Sequence, residues 1–260
     1  MNPELMIALG DELYTALARC QVVDPLTSRH PDITLEDAYR IQQQLNARRL
    51  AQGERIVGKK IGVTSQAVMD MLGVGQPDFG MLTDAMRFRN GSTIDAKTLI
   101  QPKAEGEIAF LLKRDLKGPG VTEADVLDAT EGVMACFELV DSRIRDWRIK
   151  IQDTVADNAS CGVFVLGDRL VDPRSVDLVG CRMQLKKNGE TVVTGQGSAT
   201  MGSPLTAMAW LANTLGALGV TLHSGEVVLS GALGAMVPVR AGDALSMDID
   251  GLGTCSVRFE

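Results

Sequence analysis

Two apolar segments typical of buried β-strands, residues 104–112 and 133–140, carry three glutamates between them. Because side chains alternate along a strand, Glu105 and Glu107 project from the same face. Glu138 lies in the second segment, on a face that is otherwise apolar. An unpaired carboxylate in such a setting is strongly destabilising. A partner shared by these carboxylates would make their burial tolerable.

A divalent cation is the simplest partner for three carboxylates. Ligation by oxygen alone favours a hard ion, Mg²⁺ or Mn²⁺, over zinc. The alternative is a solvated strand face or carboxylates paired with nearby Lys and Arg, which is the commoner situation for a Glu-x-Glu strand. Ala109 and Leu111 continue the face of Glu105 and Glu107 as apolar residues, so that face is not simply exposed to water.

Composition excludes several classes of protein. The chain has 260 residues, of which 45% are hydrophobic and 23% charged, so one large domain or two small ones can form. Its net charge of −7 argues against a nucleic-acid-binding protein. The N-terminal residues lack the basic region of a signal peptide, and no apolar run is long enough to cross a membrane. Five widely spaced cysteines and only two histidines predict reduced thiols in the cytoplasm, without a zinc site.

The hydrophobic pattern predicts an α+β fold. Helical periodicity covers residues 3–22 and 35–52, and Thr34 with Asp37 forms a capping box at the start of the second helix. Later helices are predicted at 204–218 and, from a weaker pattern, at 122–132. Short strands are predicted at 56–63, 104–112, 133–140, 162–166, 181–186, 191–194, 226–230, 244–249 and 254–259.

These strands are not separated by regular helices, which argues against a doubly wound parallel sheet. Asn188-Gly189 indicates a tight hairpin between two of them. We therefore expect a helical N-terminal segment, residues 1–55, packed on a mainly β, mixed-sheet body, residues 56–260, as parts of one unit. A glycine-rich stretch at 195–202 lacks the spacing and the βαβ context of a dinucleotide site.

Lys60 and Asp78 are further candidates for chemistry. Gly58 and Gly62 flank Lys60 on the same strand face, which leaves room for a ligand to approach. The simpler interpretation is that this lysine extends to solvent. Asp78 lies in a segment, residues 76–80, that resembles a turn, where an aspartate usually bonds its own backbone.

Six segments spread over about two hundred residues resemble the fumarylacetoacetate hydrolase superfamily, and in particular its 2-hydroxypenta-2,4-dienoate (2-oxopent-4-enoate) hydratases of aromatic meta-cleavage pathways. The matching segments are Gly58-Lys-Lys-Ile-Gly-Val-Thr-Ser65, Leu72-Gly-Val-Gly-Gln-Pro-Asp-Phe-Gly80, Glu105-Gly-Glu107, Glu138-Leu-Val-Asp-Ser-Arg143, Asp153-Thr-Val-Ala-Asp-Asn-Ala-Ser160 and Leu229-Ser-Gly-Ala-Leu233. They occur in the order that the family has.

The resemblance implies a fold of the fumarylacetoacetate hydrolase C-terminal-domain type and a set of site residues. The three glutamates, Glu105, Glu107 and Glu138, would hold Mg²⁺ or Mn²⁺. Lys60 would lie beside the substrate and Asp78 at the mouth of the same pocket. Substrate contacts are implied for Ser160 and Gly231.

The implied activity is addition of water to 2-hydroxypenta-2,4-dienoate, giving 4-hydroxy-2-oxopentanoate. The alternatives are a 4-oxalocrotonate decarboxylase and a 2-oxohept-4-ene-1,7-dioate hydratase. Decarboxylases of this family carry an Ile-Tyr pair in place of Asp78-Phe79, which favours a hydratase. The resemblance also implies a homo-oligomer and allows a complex with 4-oxalocrotonate decarboxylase, in which this chain would be either a live enzyme or a non-catalytic scaffold.

Overall fold

The computed structural model describes all residues, 1–260, as seven α-helices and thirteen β-strands joined by short 3₁₀ turns. The helices are α1 Pro3–Ala18, α2 Leu26–Arg29, α3 Leu35–Ala51, α4 Gln66–Leu72, α5 Glu123–Ala129, α6 Ile151–Ala156 and α7 Pro204–Ala217. The strands are β1 Ile56–Gly62, β2 Asp78–Thr83, β3 Arg87–Arg89, β4 Thr93–Ile94, β5 Pro102–Leu112, β6 Thr130–Asp141, β7 Cys161–Leu166, β8 Arg182–Lys187, β9 Glu190–Gln196, β10 Val227–Ala232, β11 Val237–Pro238, β12 Ala244–Ile249 and β13 Gly253–Phe259.

The strands form two mixed sheets. The larger has the order β2-β1-β10-β5-β6-β7-β3, with β11 also paired to β5, and the smaller has the order β4-β13-β12-β8-β9. Strand β1 pairs with β10 in parallel, whereas β5 is antiparallel to β10 and to β6. The predicted α+β class with mixed sheets is confirmed.

Both faces of the larger sheet are buried, and this is what places the glutamates inside the protein. One face packs on the smaller sheet, so closely that a Cβ on Gly106 would lie 2.3 Å from Sδ of Met183. The opposite face carries Glu105 and Glu107 together with a second apolar cluster that includes Ala109, Met134 and Cys136. The glycine between the two glutamates is therefore required by sheet packing.

The N-terminal helices pack on the larger sheet through α6. Leu13, Ile41 and Leu45 form a buried cluster with Ile144 and Val155. The predicted capping box is present at the start of α3, where the side chain of Thr34 accepts from the backbone of Asp37. Buried Gln42 donates from Nε2 to the backbone carbonyls of Phe79 and Val155, at 2.9 Å each. These contacts attach the helical segment to the strand that carries Asp78.

Several boundaries differ from the sequence prediction. Helix α1 ends at Ala18, and the segment predicted as a helix at 122–132 changes to strand β6 at Thr130. Residues 76–80 are not simply a turn, because β2 begins at Asp78. This strand was not predicted from the sequence because Pro77 and Gly80 belong to residue types that are depleted in strands. The hairpin at Asn188-Gly189 is confirmed, with φ of 54° and 88°.

We propose that residues 1–55 and 56–260 unfold as a single unit. Gln42 is buried among backbone carbonyls of the body, and Asn46 donates to Asn158 across the same boundary at 3.1 Å. Separating the two parts would expose both these groups and the apolar cluster. We expect coincident urea transitions by far-ultraviolet circular dichroism and by fluorescence of the two tryptophans, which both lie in the body. Two separate transitions would contradict this.

Candidate metal centre and active site

The three glutamates meet because β5 and β6 are adjacent antiparallel strands. Glu105 lies directly opposite Glu138 in the register, and Glu107 lies opposite Cys136. One carboxylate oxygen from each glutamate lies within 4.8 Å of those of the other two. Glu107 and Glu138 have no solvent-exposed surface. The sequence predicted a shared face only for Glu105 and Glu107, and the pairing of β5 with β6 brings Glu138 to it.

Three buried oxygens of this cluster lack a hydrogen-bond donor. Glu107 accepts one hydrogen bond at Oε2, from the backbone N–H of Gly231 at 2.8 Å. Its Oε1 and both carboxylate oxygens of Glu138 are buried without a hydrogen-bond donor. Buried polar atoms are rarely left in this state, and a bound ion can supply the missing partner. Three carboxylates with free oxygens fit Mg²⁺ or Mn²⁺.

Two buried cysteines beside the cluster do not change this donor set. Burial is the main cause that raises the pKa of the Cys136 and Cys161 thiols well above the ordinary value, and the neighbouring glutamates add to it. Both thiols therefore stay protonated at neutral pH, and a protonated thiol is a poor metal ligand. The donors available to an ion are the carboxylate oxygens.

Without a cation, the cluster retains protons near neutral pH. Burial raises the pKa of Glu105 to about 7, and the negative charge of Glu138 contributes to the increase. The same two causes, with Glu105 added, raise the pKa of Glu107 well above its usual range. A metal ion binds the deprotonated form, so it must displace these protons.

We expect the affinity for Mg²⁺ to increase with pH between 6 and 8. A carboxyl group with a pKa of about 7 is mostly protonated at pH 6. Each proton released on binding an ion weakens binding by about tenfold for each pH unit below the pKa of the group that holds it. Calorimetric titration with Mg²⁺ at pH 6, 7 and 8, each in two buffers of different ionisation enthalpy, measures both the affinity and the proton release. Affinity independent of pH would contradict a site made of these carboxylates.

Lys60 is buried and lies next to the carboxylate cluster. Its Nζ forms an ion pair with Oε1 of Glu138 at 3.2 Å, but the two groups are not oriented for a hydrogen bond. Burial alone would lower the pKa of Lys60, but the negative charges of Glu138 and Asp78 outweigh burial and raise it. In the absence of a metal ion, Lys60 therefore carries a positive charge at neutral pH. The interpretation that it extends to solvent is wrong, because its side chain is only 4% exposed.

Lys59 occupies the opposite face of β1 and has a separate role. Its Nζ donates to both carboxylate oxygens of Glu226, at 2.5 Å each. Glu226 also accepts from the backbone N–H of His223 at 2.9 Å. This buried ion pair lies close to the parallel pairing of β1 with β10, in which Lys59 is opposite Val228. Of the two adjacent lysines, only Lys60 lies against the cluster.

Asp78 on β2 lies directly opposite Gly62 on β1. Because Gly62 has no side chain, the carboxyl group of Asp78 can come close to Lys60. A Cβ on Gly62 would lie 2.2 Å from Oδ1 of Asp78 and 3.2 Å from Nζ of Lys60, so only glycine leaves space for both side chains. The Oδ1 atom of Asp78 is buried and has no hydrogen-bond partner. Burial raises the pKa of Asp78 to about 6, against the opposing effect of Lys60.

Of the two predicted substrate contacts, Gly231 touches the carboxylate cluster, and Ser160 lies in the loop directly before β7. Ser160 ends a one-turn 3₁₀ helix, Asn158–Ser160, in which all three residues have positive φ. Its Oγ lies 3.0 Å from Oγ1 of Thr154. Gly231 has a φ of 107°, and its backbone N–H holds Glu107. A Cβ there would lie 2.4 Å from Oγ1 of Thr64, so glycine is required. Substrate binding by these two residues remains a prediction.

Arg143 was not predicted as a site residue, yet it fixes the loop that carries Ser160. Its guanidinium is fully buried, pairs with Asp157, and donates to the carbonyls of Asp141 at 2.6 Å and Cys161 at 2.8 Å. Breaking a buried pair of this kind is strongly destabilising, because it leaves an uncompensated charge. The sequence signal for a structural role of Arg143 was its position two residues after a buried strand.

A cavity of about 400 Å³ adjoins Asp78. Its lining comes from the start of α3, the loop before β2 and the start of α6. Every helix of the protein is too short or too polar to span a membrane. The site thus combines a largely buried cluster of carboxylates, an adjacent lysine and aspartate, and a partly open cavity beside the aspartate.

Comparison with known proteins identifies the family. Residues 61–260 match the model of the fumarylacetoacetate hydrolase C-terminal family. The chain is 58% identical over 252 residues to a 2-hydroxyhexa-2,4-dienoate hydratase of Comamonas testosteroni, a match that covers 96% of each chain. It is 63% identical over 221 residues to a 2-hydroxypent-2,4-dienoate hydratase of Pseudomonas putida, covering 85% of this chain and 100% of the relative.

A solved structure has the same fold. The 4-oxalocrotonate decarboxylase from Pseudomonas putida G7, complexed with magnesium and adipate, superimposes with a TM-score of 0.97 at 36% identity and covers 100% of this chain and 99% of its own. The predicted fold type and the resemblance are confirmed. This chain belongs to the fumarylacetoacetate hydrolase superfamily, within the family that contains the 2-keto-4-pentenoate hydratases and the 4-oxalocrotonate decarboxylases.

Proposed function

We propose that the protein is a Mg²⁺- or Mn²⁺-dependent hydratase that adds water to 2-hydroxypenta-2,4-dienoate to give 4-hydroxy-2-oxopentanoate. The observation that carries this proposal is the meeting of Lys60 and Asp78 beside a cluster of three carboxylates, two of which are fully buried with unpaired oxygens. Such a site can hold a chelated 2-oxo acid at one end and a water molecule at the other. The identity to proteins named as hydratases supports the same reaction.

Glu105, Glu107 and Glu138 would hold the divalent ion. When bound, that ion supplies Lewis-acid polarisation of a substrate chelated through its carboxylate and C2 oxygen. The protein fixes the positions of the carboxylates that would hold the ion. The backbone N–H of Gly231 orients Glu107, and the strand pairing of β5 with β6 sets the position of Glu138.

The remaining steps are proton transfers and the addition of water. The substrate gains a proton at C5 and loses its enol proton, which gives a conjugated 2-oxo-3-enoate. Hydroxide from water then bonds to C4, and a proton is added to C3. The sum of these steps is the addition of one water molecule.

Lys60 and Asp78 can serve two different steps of this reaction. The ammonium group of Lys60, held beside Glu138, stabilises negative charge that develops on the substrate and can donate a proton. Oδ1 of Asp78 is free to accept a hydrogen bond from water and to take up its proton. We assign the C3 side of the substrate to Lys60 and the water to Asp78.

A direct comparison of substrates tests the function. The purified protein with Mg²⁺ should consume 2-hydroxypenta-2,4-dienoate, followed by loss of the diene absorbance, and form 4-hydroxy-2-oxopentanoate detectable by NMR. A decarboxylase would instead release CO₂ from 2-oxohex-3-enedioate. Release of CO₂ from that compound without consumption of the pentadienoate would refute the hydratase.

The decarboxylase is the second candidate because its solved structure superimposes so closely. Loss of CO₂ requires no group that positions water, whereas this chain places Asp78 with a free buried oxygen next to Lys60. A non-catalytic scaffold is disfavoured because the cluster is complete. A protein that co-purifies with a decarboxylase and has no turnover of its own would revive that alternative.

We further propose that the protein acts in the cytoplasm as a homo-oligomer within meta-cleavage degradation of aromatic compounds, and that it can associate with a 4-oxalocrotonate decarboxylase. Four of its five cysteines are buried and all are unpaired, which suits a reducing compartment. Light scattering coupled to size exclusion, with and without the decarboxylase, measures both kinds of association.

A further inference from the structure

Strand β2, which carries Asp78, is an edge strand of the larger sheet. It pairs with β1 on one side only, so the backbone groups of alternate residues point away from the sheet. An open edge of this kind leaves backbone donors and acceptors without partners. Asp78 is the first residue of β2, and its position therefore depends on how the residues that follow it are held.

Side-chain amides occupy the open edge of β2. Oδ1 of Asn158 accepts from the backbone N–H of Met81 at 2.8 Å, and Nδ2 of Asn158 donates to the carbonyl of the same residue at 2.9 Å. A neighbouring antiparallel strand would make the same pair of bonds. Two residues earlier, Nε2 of Gln42 donates to the carbonyl of Phe79 at 2.9 Å. The two amides therefore take the place of a missing strand, beginning one residue after Asp78.

Asn158 is itself held in an uncommon backbone conformation. The segment Asn158–Ser160 has φ values of 55°, 52° and 52°. Residues other than glycine rarely adopt this region, and they do so most often at functional sites. Arg143 donates from its guanidinium to the carbonyl of Asp157 and from its backbone N–H to the carboxylate of Asp157, the latter at 3.0 Å. Buried hydrogen bonds thus hold the loop in place immediately before Asn158.

The loop and the strand fit closely. A Cβ on Gly80 would lie 2.5 Å from the backbone carbonyl oxygen of Asn158, so glycine is required for the loop to pack on β2 at this distance. Gly80 lies opposite Lys60 in the register, and Asp78 lies opposite Gly62. Asn158, which has no solvent-exposed surface, therefore acts on the part of β2 that meets Lys60.

We propose that Asn158 is a positioning residue: its amide completes the open edge of β2 and so fixes the carboxyl group of Asp78 in the active site. Gln42 supports the same edge from α3. This inference rests on the proposed function, in which Asp78 takes up the proton of water, and it adds a residue that acts only through Asp78. The hydrogen bonds of the Asn158 side chain go to β2 and α3, and none goes to the carboxylate cluster.

Replacing Asn158 by Gly tests the role of the amide. Asn158→Gly removes the amide without adding strain, because glycine readily adopts positive φ. We expect kcat for 2-hydroxypenta-2,4-dienoate to fall by about 10²-fold, the effect of misplacing a reacting group by about 1 Å. KM and the affinity for Mg²⁺ should stay near the wild-type values, because the carboxylates that would hold the ion lie on β5 and β6.

Asn188→Gly is the matched control. Asn188 also has a positive φ, 54°, and its Oδ1 accepts from a backbone N–H, that of Ala244 at 2.8 Å, but in the smaller sheet. The same chemical change there should leave kcat at the wild-type value.

A double-mutant cycle determines whether Asn158 acts through Asp78. If it does, adding Asn158→Gly to Asp78→Asn should lower kcat by less than about twofold further. Gln42→Met, which keeps the length of the side chain and leaves the loop unchanged, is the second variant and should show the same dependence on Asp78. Losses of equal size with and without Asp78 would indicate a general structural role and would overturn the inference.

Hydrogen exchange measured by mass spectrometry gives a result that requires no turnover. Peptides that cover β2 should exchange at least about tenfold faster in Asn158→Gly than in the wild type or in Asn188→Gly. Unchanged exchange overturns the inference while hydration of 2-hydroxypenta-2,4-dienoate stands. Wild-type protein that fails to hydrate this compound overturns the proposed function instead, and faster exchange would then show Asn158 as a support of β2 alone.

Discussion

Replacing Glu107 by Gln is expected to remove nearly all hydratase activity, a loss on the order of 10³-fold or more. Glutamine preserves the shape of the side chain and can still accept from Gly231, but it supplies no negative charge to an ion. The stabilisation by Mg²⁺ should disappear together with the activity. For the wild type, Mg²⁺ at a hundred times its dissociation constant should add about 2.7 kcal/mol to the free energy of unfolding.

The metal-free variant provides a second and independent result. Because burial raises the pKa of Glu107, its ionised form destabilises the folded state at pH 8. Glu107→Gln without metal should therefore be at least as stable as the metal-free wild type. Glu131→Gln, an exposed glutamate on β6, is the matched control and should keep both activity and the response to Mg²⁺. An active Glu107→Gln enzyme, stabilised normally by Mg²⁺, would refute the metal site.

Lys60→Met and Asp78→Asn should each reduce the hydration rate by about 10²–10⁴-fold, the usual effect of losing a general acid or base. Both side chains are buried; Lys60→Met also removes the positive charge that lies 3.2 Å from Glu138, whereas Asp78→Asn breaks no ion pair. The proton-exchange behaviour of the two variants should differ. With 2-oxopentanoate and Mg²⁺ in D₂O, exchange at C3 measured by NMR should be lost in Lys60→Met and kept in Asp78→Asn.

Neighbouring residues of the same type are the controls. Lys59→Met should lower stability, because it leaves Glu226 buried without its partner, yet it should keep the rate within a few-fold of the wild type. Asp84→Asn, immediately after the strand that carries Asp78, removes an exposed pair with Arg55 and should change little. If Asp78→Asn loses C3 exchange and Lys60→Met keeps it, the two roles are exchanged.

The pattern of the sequence was sufficient for much of the fold. Alternation along 104–112 and 133–140 predicted two long buried strands, and the structure contains them as β5 and β6. Turn chemistry at Asn188-Gly189 predicted a hairpin that is present. Strand β2 was missed because Pro77 and Gly80 resemble turn residues. The pairing of this strand with β1 outweighed its local propensity.

The residues of the candidate site were predicted, but their spatial arrangement was not. The resemblance supplied Lys60, Asp78 and the glutamates as one group, while spacing alone supported only Glu105 and Glu107. The position of Arg143 just after a buried strand was a signal, but the sequence did not identify its partner Asp157, which follows fourteen residues later. The cavity beside Asp78 could not be predicted from local patterns either, since its walls come from α3, α6 and the loop before β2.

The sequence by itself determined that three carboxylates would lie on buried strands, since alternation and hydrophobicity are properties of a local segment. Only the tertiary structure decided that Glu138 would lie opposite Glu105, that Lys60 rather than Lys59 would face the cluster, and that Asp78 would lie beside both Lys60 and a cavity. Those relations depend on strand pairing between residues far apart in the chain. Local sequence patterns do not determine which distant strands pair, because pairing depends on contacts that form only in the folded sheet.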